Sequence, residues 1–561
     1  MSLPGVERAG AGFGLQFAGR TIQAFPGETL AAALLAAGEL ALRRTAGGDD
    51  RGIYCGMGVC GECSVLVDGA PRRACMTAAE PGQQVEPLPA RVVAQPQPIQ
   101  TLTHHSCDLL VVGAGPAGLA ATLAARAAGL SVILADERAK PGGQYFKQPG
   151  EGLTIDATAI DRQFAAGRTL IEQAVASGAA IWRGCMAWHA AQDGDGDGVA
   201  VAVTTPDGPA QVRARRLVVA AGAMERPWPV PGWTLPGVMT TGAAQTLLRG
   251  SAVAPGARVL VAGNGPLNLQ LACELLAAGV TVVAVVEQAP RPGPAQIGAL
   301  AAMLTSHAGL ALMGAAQLAK LVRAGVPLLF GHDVTRIAGA TRVEAVAIAA
   351  PGGPERWFDI DAVCIGAGFQ PQAELPRALG CAMASDGLSV QRDDSGRTSL
   401  ECVFVAGDGG GLGGAVAAQA QGRLAGAAAA RDLIGTLPAS LERQDEQARR
   451  DLARAQRFQR GLWQMFAPLA GAAPRTTSET LLCRCESVSL ARIETLIAAG
   501  ERDIGSIKRA TRAGMGRCQG RYCAPQLAVR MVDAGNPTEL FAPRPPFKPV
   551  TIAAIAARDG G

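Results

Sequence analysis

Four cysteines near the N-terminus constrain this chain more than any other feature. Cys55, Cys60, Cys63 and Cys75 follow the spacing C-x4-C-x2-C-x11-C, and the first three match the ligand loop of plant-type [2Fe–2S] proteins. A binuclear iron centre needs four thiolates, and so short a loop must wrap around the inorganic sulfides. Gly56, Gly58 and Gly61 let the loop take positive φ and turn its N–H groups toward sulfur. The flanks agree with a β-grasp unit. Gly19–Phe25 reads as a hairpin strand and Glu28–Leu42 as an Ala/Leu helix, while Ser64–Val67 and Arg72–Cys75 read as a hairpin across the turn signal Asp68-Gly69. Zinc is the competing metal for such a quartet.

A second quartet, Cys483, Cys485, Cys518 and Cys523, is spaced C-x-C-x32-C-x4-C. An amphipathic helical pattern, Leu490–Ala499, separates the pairs, and a second helical turn precedes Gly514-Met515-Gly516. Loops at helix ends can therefore carry both pairs to one centre, either [2Fe–2S] or zinc. Arg484, Arg517 and Arg521 stand beside these ligands. They either raise the potential of an iron–sulfur centre by favouring its more negative reduced state or form a solvated basic face. Cys107, Cys185, Cys273, Cys364, Cys381 and Cys402 are isolated in mostly apolar context and read as small buried hydrophobes. Fourteen cysteines in 561 residues, with no basic-then-apolar leader at Met1–Gly14, argue for redox or metal sites and a cytoplasmic location rather than a disulfide framework.

Between the quartets lie two nucleotide-fold signatures. Cys107–Val112 is a short apolar strand entering Gly113-Ala114-Gly115-Pro116-Ala117-Gly118, followed by a helix, Leu119–Ala128, and a strand, Ser131–Ala135, that ends at Asp136-Glu137. The glycines permit the tight turn and close approach of a pyrophosphate, and the helix N-terminus offers unpaired N–H groups to it. Asp136 has the better register for a ribose hydroxyl, with Glu137 the alternative. A second unit begins at Arg258–Ala262 and turns through Gly263-Asn264-Gly265-Pro266-Leu267-Asn268, with Glu287 ending the next strand. Asn268 occupies the third glycine position, which weakens the signal. NAD, another nucleotide or an altered site all remain open there. Asp361–Ile365 then enters Gly366-Ala367-Gly368-Phe369, and Val403–Ala406 leads into Gly407-Asp408 and an Ala-rich helix, Ala415–Ala430.

The segments RGIYCGMGVCGECSV, VVGAGPAGLAAT, GGQYF at 142–146, VVAAGAMERPWPVPGW at 218–233, VFVAGDG, and CRCE with TRAGMGRCQGRYC resemble one family over nearly the whole chain. It is the large flavoprotein subunit of hydrogen cyanide synthase, opine oxidase, D-hydroxyproline dehydrogenase and heterotetrameric sarcosine oxidase, here with the small [2Fe–2S] subunit fused in front. The resemblance implies an α/β protein with two Rossmann-like dinucleotide-binding domains, a β-grasp [2Fe–2S] domain and a C-terminal helical iron–sulfur domain of the bacterioferritin-associated type. It implies FAD held by Gly113, Gly115, Pro116, Ala117, Gly118, Asp136 or Glu137, Gly143, Gln144, Ala221, Gly222, Gly407 and Asp408, with Asp408 at the ribityl chain. Gly263, Gly265 and Glu287 are the corresponding candidates for a second nucleotide. It further implies a partner, a smaller D-amino-acid-oxidase-like FAD subunit in a hetero-oligomer. That partner oxidises a secondary amine, opine or amino acid and hands electrons to this chain for an external acceptor such as a quinone, cytochrome or dioxygen. The chain stops at Gly561 without the folate-binding extension of sarcosine oxidase, so folate-linked chemistry is not expected.

The expected organisation is 1–90 ferredoxin-like domain, 91–106 extended linker, 107–230 first part of the FAD domain and 231–355 second dinucleotide domain. It continues with 356–435 FAD-domain return, 436–475 helical connector or docking arm, 476–535 C-terminal iron–sulfur domain, and 536–561 a Pro-rich, frayed tail. A net charge of +4 with 17% charged residues excludes a nucleic-acid binder. The apolar stretch Asn268–Glu287 contains Gln270, Glu274 and Gly279 and reads as helix then strand, so no transmembrane segment is expected and membrane contact would come through partners. His104, His105, His189, His307 and His332 lack metal-ligand spacing, and no residue stands out as a catalytic acid or base. Disulfide-reductase chemistry is disfavoured because no C-x2-C lies in 231–355. A self-sufficient NAD(P)H:acceptor reductase and a non-enzymatic iron–sulfur scaffold are the alternatives to the electron-transfer subunit.

Overall fold

The structure is a computed structural model describing residues 6–8, 10–92, 98–156, 161–194, 196–469, 473–533 and 540–559. Pro96 and Pro537, which fall in the expected linker and tail, lie outside the described residues.

The N-terminal sheet has the order Arg20–Ala24, Phe13–Phe17, Gln84–Pro87, Ser64–Val67, Ala70–Arg73. A helix, Leu30–Ala36, crosses it and buries Leu30, Leu34 and Leu35. Thr29 caps that helix by accepting from the Ala32 N–H, and Gly38 at φ 83° ends it, so it is shorter than the Ala/Leu run suggests. Asp68 and Gly69 both take positive φ, the turn geometry that joins twisted antiparallel strands.

The first nucleotide sheet runs Ala180–Arg183, Val132–Asp136, Thr101–Val112, Gly208–Val219, with Val403–Val405 also paired to Gly208–Val219; all these contacts are parallel. Val199–Thr205 and Met186–Gln192 extend it as an antiparallel meander. The expected linker is corrected here. Its last six residues are the start of the central strand, where Thr103 to Ser106 pair with Ala210 to Arg213. The expected frayed tail is corrected too. Arg558–Asp559 pairs in parallel with Thr101–Leu102, and the Phe547 N–H donates to the Trp188 carbonyl.

The second nucleotide sheet is fully parallel, in the order Val238–Thr240, Ala362–Ala367, Arg258–Asn264, Thr281–Glu287, Leu328–Phe330. Two short antiparallel strands, Ala223–Glu225 and Phe369–Pro371, connect it to the first. The helix Ala439–Met465, expected as a helical connector or docking arm, packs on its own chain. Ala448, Leu452 and Ala455 share a core with Ala417, Ala420 and Leu424, and Gly461 approaches Ala299 on the helix Ile297–Arg323. The latter belongs to a segment, Pro294–Arg323, long and apolar enough by length and composition to cross a membrane, with 17% of its most apolar window buried. That stretch was not among the sequence expectations. His307 breaks its helical backbone.

The helices Pro116–Ala127 and Gly414–Ile434 cross at backbone contact: a Cβ on Gly422 would lie 2.0 Å from the Ala117 carbonyl oxygen. Gly422→Val should therefore force the helices apart at a cost of about 1–3 kcal/mol and lower the unfolding midpoint. Gly250→Ala, where nothing lies within 4 Å, should leave the midpoint unchanged or raise it; parallel thermal melts of the two variants check this.

Candidate redox centres and nucleotide sites

The first quartet is assembled by a loop with left-handed glycines: Gly56, Gly58 and Gly61 have φ of 59°, 77° and 69°. The Cys60 N–H donates to the Cys55 sulfur at 3.4 Å, and the Glu62 N–H to the Cys60 sulfur at 3.4 Å. Burial pushes the Cys55 thiol up, but hydrogen bonds from Cys60 and from the Met57, Cys60 and Val59 backbone outweigh it and bring the pKa to about 6. Cys60 and Cys75, buried against neighbouring thiols, are held well above the ordinary value. Cys75 enters on the short turn Ala74–Met76 and lies against Cys63. The donor set, four thiols in a nest of N–H groups, fits a [2Fe–2S] centre.

In the second quartet, Cys483 ends a hairpin strand and Cys523 opens the helix Cys523–Asp533. The Cys483 and Cys485 sulfurs are 3.8 Å apart, as are those of Cys485 and Cys518, and Cys523 contacts Cys483. A Cβ on Gly516 would lie 2.4 Å from the Cys485 sulfur, so only glycine leaves room for the thiol. Among the described residues no group of three or more His, Cys, Asp or Glu side chains converges as a single-ion site requires. Four thiols at this spacing can hold either a [2Fe–2S] centre or zinc.

The two quartets, more than four hundred residues apart in sequence, meet in one seam. Cys60 and Glu62 of the first line the same small cavity as Cys483, Cys485, Cys518 and Cys523. Tyr54, Cys55, Cys60, Cys518, Tyr522 and Trp233 share one buried core, with Tyr54 edge-on to Trp233 at 5.7 Å and to Tyr522 at 5.5 Å. Glu62, 1% exposed, faces three buried arginines: Arg43 at 2.6 Å, Arg51 at 3.6 Å and Arg484 at 3.6 Å. Arg484 stacks over the Tyr54 ring at 4.0 Å and Trp233 at 4.7 Å. Arg521 is also buried, pairing with Glu374 at 2.9 Å. Arg484 and Arg521 are therefore not part of a solvated basic face. The sequence flagged Arg484 but gave no signal for Glu62, Arg43 or Arg51, because their meeting depends on domain docking.

The first nucleotide candidates converge at the carboxyl ends of the parallel strands. Cβ atoms on Gly113 and Gly118 would meet the Ala220 and Gly113 carbonyl oxygens at 2.4 and 1.8 Å, so the loop tolerates glycine alone. Gly115 caps the Pro116–Ala127 helix without a side-chain hydrogen bond, leaving its first N–H groups for a phosphate. Asp136 accepts from the Ala114 N–H at 2.5 Å and the Arg138 N–H at 2.8 Å. Glu137 turns away to Lys548 and Arg73. The Gly142 N–H donates to the Ala114 carbonyl at 2.8 Å, and Gly143 abuts Gly115. The carbonyl of Gln144 accepts from Lys147 at 2.5 Å. Ala221 and Gly222 are tied to Gln372, and Asp408 accepts from the Gly413 and Gly414 N–H groups at 2.9 and 3.0 Å, bracing the start of the Gly414–Ile434 helix. The cysteine loop docks on both nucleotide units: Arg138 of the first donates to the Gly56 carbonyl at 3.0 Å, and the Thr240 N–H of the second to that of Tyr54 at 2.9 Å.

The second loop is equally glycine-dependent, with a Gly263 Cβ meeting the Gly366 carbonyl oxygen at 2.1 Å. Glu287, however, already accepts from Asn264 at 2.9 Å, the Gly265 N–H at 3.0 Å and the Ala289 N–H at 2.9 Å. Asn268 bonds the Gly366 carbonyl at 3.1 Å and Thr241 at 2.7 Å. Trp463 stands against Gly265, and the Phe466 carbonyl accepts from Asn264 at 2.7 Å. The connector helix therefore covers this phosphate loop.

Glu62→Gln would leave three buried guanidinium groups without their carboxylate, a loss of about 3–5 kcal/mol. The loss should be smaller once iron-loaded, anionic centres occupy the seam; thermal midpoints of the iron-free and iron-loaded variant check this. A second outcome concerns Lys147, fully buried and bonded to Gln245 at 2.9 Å. Burial, with Arg138 and Arg249 nearby, lowers its pKa from 10.5 to about 7. The unfolded chain then binds the extra proton between about pH 7 and 10.5, so stability rises with pH in that window. Lys147→Met should flatten the rise in urea midpoints measured from pH 7 to 9.5.

Comparison with known proteins agrees with this architecture. A pyridine nucleotide-disulphide oxidoreductase model matches residues 107–422, a 2Fe-2S iron-sulfur cluster binding domain matches 12–88, and a BFD-like [2Fe-2S] binding domain matches 481–529. The first implies FAD and the ferredoxin-type match implies [2Fe–2S] binding. The chain is 34% identical to an opine oxidase subunit of Agrobacterium tumefaciens over 80% of this chain and 91% of the relative. It is 30% identical to hydrogen cyanide synthase subunit HcnB of Pseudomonas aeruginosa over 80% and 97%. The crystal structure of L-proline dehydrogenase from P. horikoshii shares the fold, with a TM-score of 0.73 at 22% identity over 99% of both chains. The chain belongs to the pyridine nucleotide-disulphide oxidoreductase family, as an iron–sulfur flavoprotein oxidoreductase related to these opine oxidase and hydrogen cyanide synthase subunits.

Proposed function

We propose that this chain is the electron-transfer subunit of a heteromeric dehydrogenase or oxidase acting on a secondary amine, opine or amino acid. It would receive electrons from a smaller FAD-containing partner and pass them to an external acceptor. The observation that carries the reading is the shared seam: Cys60 and the four C-terminal cysteines line one cavity, and the loop of the first quartet rests on the flavin-type nucleotide unit through Arg138. That the opine oxidase and hydrogen cyanide synthase relatives are named as subunits supports a hetero-oligomer.

Bound FAD would supply the exchange of two electrons for single ones that iron–sulfur centres require. In this reading the Gly113–Gly118 loop and the bare helix start at Pro116 hold its pyrophosphate, and Asp136 takes the ribose. Gly143, Ala221 and Gly222 keep the backbone open beside the ligand, and Asp408 fixes the helix whose positive end faces it. Cys55, Cys60, Cys63 and Cys75 hold one [2Fe–2S] centre, and Cys483, Cys485, Cys518 and Cys523 the second. The NAD(P)H-reductase reading is disfavoured by the cover that Trp463 and Phe466 place over Gly265 and Asn264.

The purified chain should contain flavin and two EPR-distinguishable clusters, one of which disappears in Cys518→Ser. It should not oxidise amines or amino acids with an artificial dye until the smaller flavoprotein is co-expressed. Dye reduction by the chain alone, or rapid flavin bleaching by NADH, would contradict the proposal.

A further inference from the structure

Of the eight candidate ligand cysteines, seven are buried and Cys485 is half-exposed. Cys485 opens onto a cavity of about 1060 Å3 between the ferredoxin-like domain, the C-terminal domain, the first nucleotide unit and the tail. Ten arginines and lysines line it against two glutamates. One glutamate, Glu486, is taken by Arg512 at 2.8 Å, and the other, Glu374, by Arg521 at 2.9 Å. Arg43, Arg44 and Lys548 are paired too, with Glu62, Asp50 and Glu137, so among the described lining residues the cationic excess is Arg91, Arg377, Lys508, Arg517 and Arg544. The wall also has an apolar side, formed by Met224, Phe541 and Phe547. A cleft of this size, part apolar and fringed with fixed charge, matches a small-molecule site, and one-signed charge concentrates the oppositely charged ligand.

We propose that this cavity binds a small redox carrier bearing several negative charges, and that electrons leave the chain there, past Cys485. This rests on the two-cluster reading above. Among the described residues only the second quartet reaches the cavity, through Cys485, so the C-terminal centre is the donor there. In the step itself the carrier gains one electron and the C-terminal centre loses one; no bond forms or breaks and no proton moves. Lys508, Arg544 and Arg91 would draw in the anion, with Arg517 and Arg43 closer to the cysteines.

The test uses the full-length, cluster-loaded chain, reduced by less than one electron per molecule so that the two cluster spins do not couple, and the paramagnetic trianion tris(oxalato)chromate(III) at low ionic strength. The anion should broaden the C-terminal cluster's EPR signal and spare the N-terminal one. The trication tris(ethylenediamine)chromium(III) should do neither. Lys508→Glu/Arg544→Glu should raise the anion concentration needed by about tenfold or more, while Arg450→Glu, on the far connector helix, should not. Arg91→Glu gives a smaller shift in the same direction and guards against misfolding of the double variant. In stopped flow, ferricyanide reduction should slow in the same variants and hexaammineruthenium(III) reduction should not. Equal broadening of both signals, or indifference to the sign of the probe, would overturn the exit site while leaving two clusters intact. Absence of both cluster signals would instead sink the relay reading together with the site.

Discussion

The arrangement depends on one buried carboxylate. Glu62 sits between Arg43, Arg51 and Arg484 at the seam of two domains from opposite ends of the chain. Arg51 is shared with the half-exposed Asp49 at 3.3 Å, and the buried part of the cluster, three guanidinium groups around Glu62, still carries a positive surplus. Buried charge without compensation is costly, and the neighbours able to compensate are the thiolates of the two quartets. Anionic centres bound at the quartets would therefore stabilise this seam. Arg51 ties the domains further through the Arg484 carbonyl at 3.4 Å and Ser487 at 3.1 Å.

That geometry changes the picture of the electron path. Centres placed one on each side of a flavin would communicate only through it. Here Cys60 and the C-terminal cysteines line one cavity, with Tyr54, Trp233 and Tyr522 packed around them. The second nucleotide fold has another character. Its glycine turn is kept, and Glu287 accepts from that turn as Asp136 does from the first, but Asn268 and the connector's Trp463 fill the third-glycine position and the mouth.

Local spacing carried much of the legible information. The C-x4-C-x2-C loop, the Gly113–Gly118 turn and the Asp68-Gly69 hairpin each require a backbone conformation that few residues permit, so sequence exposes them directly. What stayed hidden was set by long-range packing. The strand that begins at Thr101 looked like a linker because its first half pairs along a partly exposed edge. The tail looked frayed because its anchors are single contacts, at Phe547, Lys548 and Arg558. Glu62, beside a cysteine ligand, had no sequence signature at all; its importance is visible only where Arg43, Arg51 and Arg484 surround it.

The most direct test of adjacent cysteine quartets is the EPR spectrum of the fully reduced, iron-loaded chain. Two half-integer spins held in one seam should interact, so the spectrum should show splitting or fast relaxation absent from a Cys518→Ser sample that keeps only the first centre. A spectrum equal to the simple sum of two independent [2Fe–2S] signals would contradict the account.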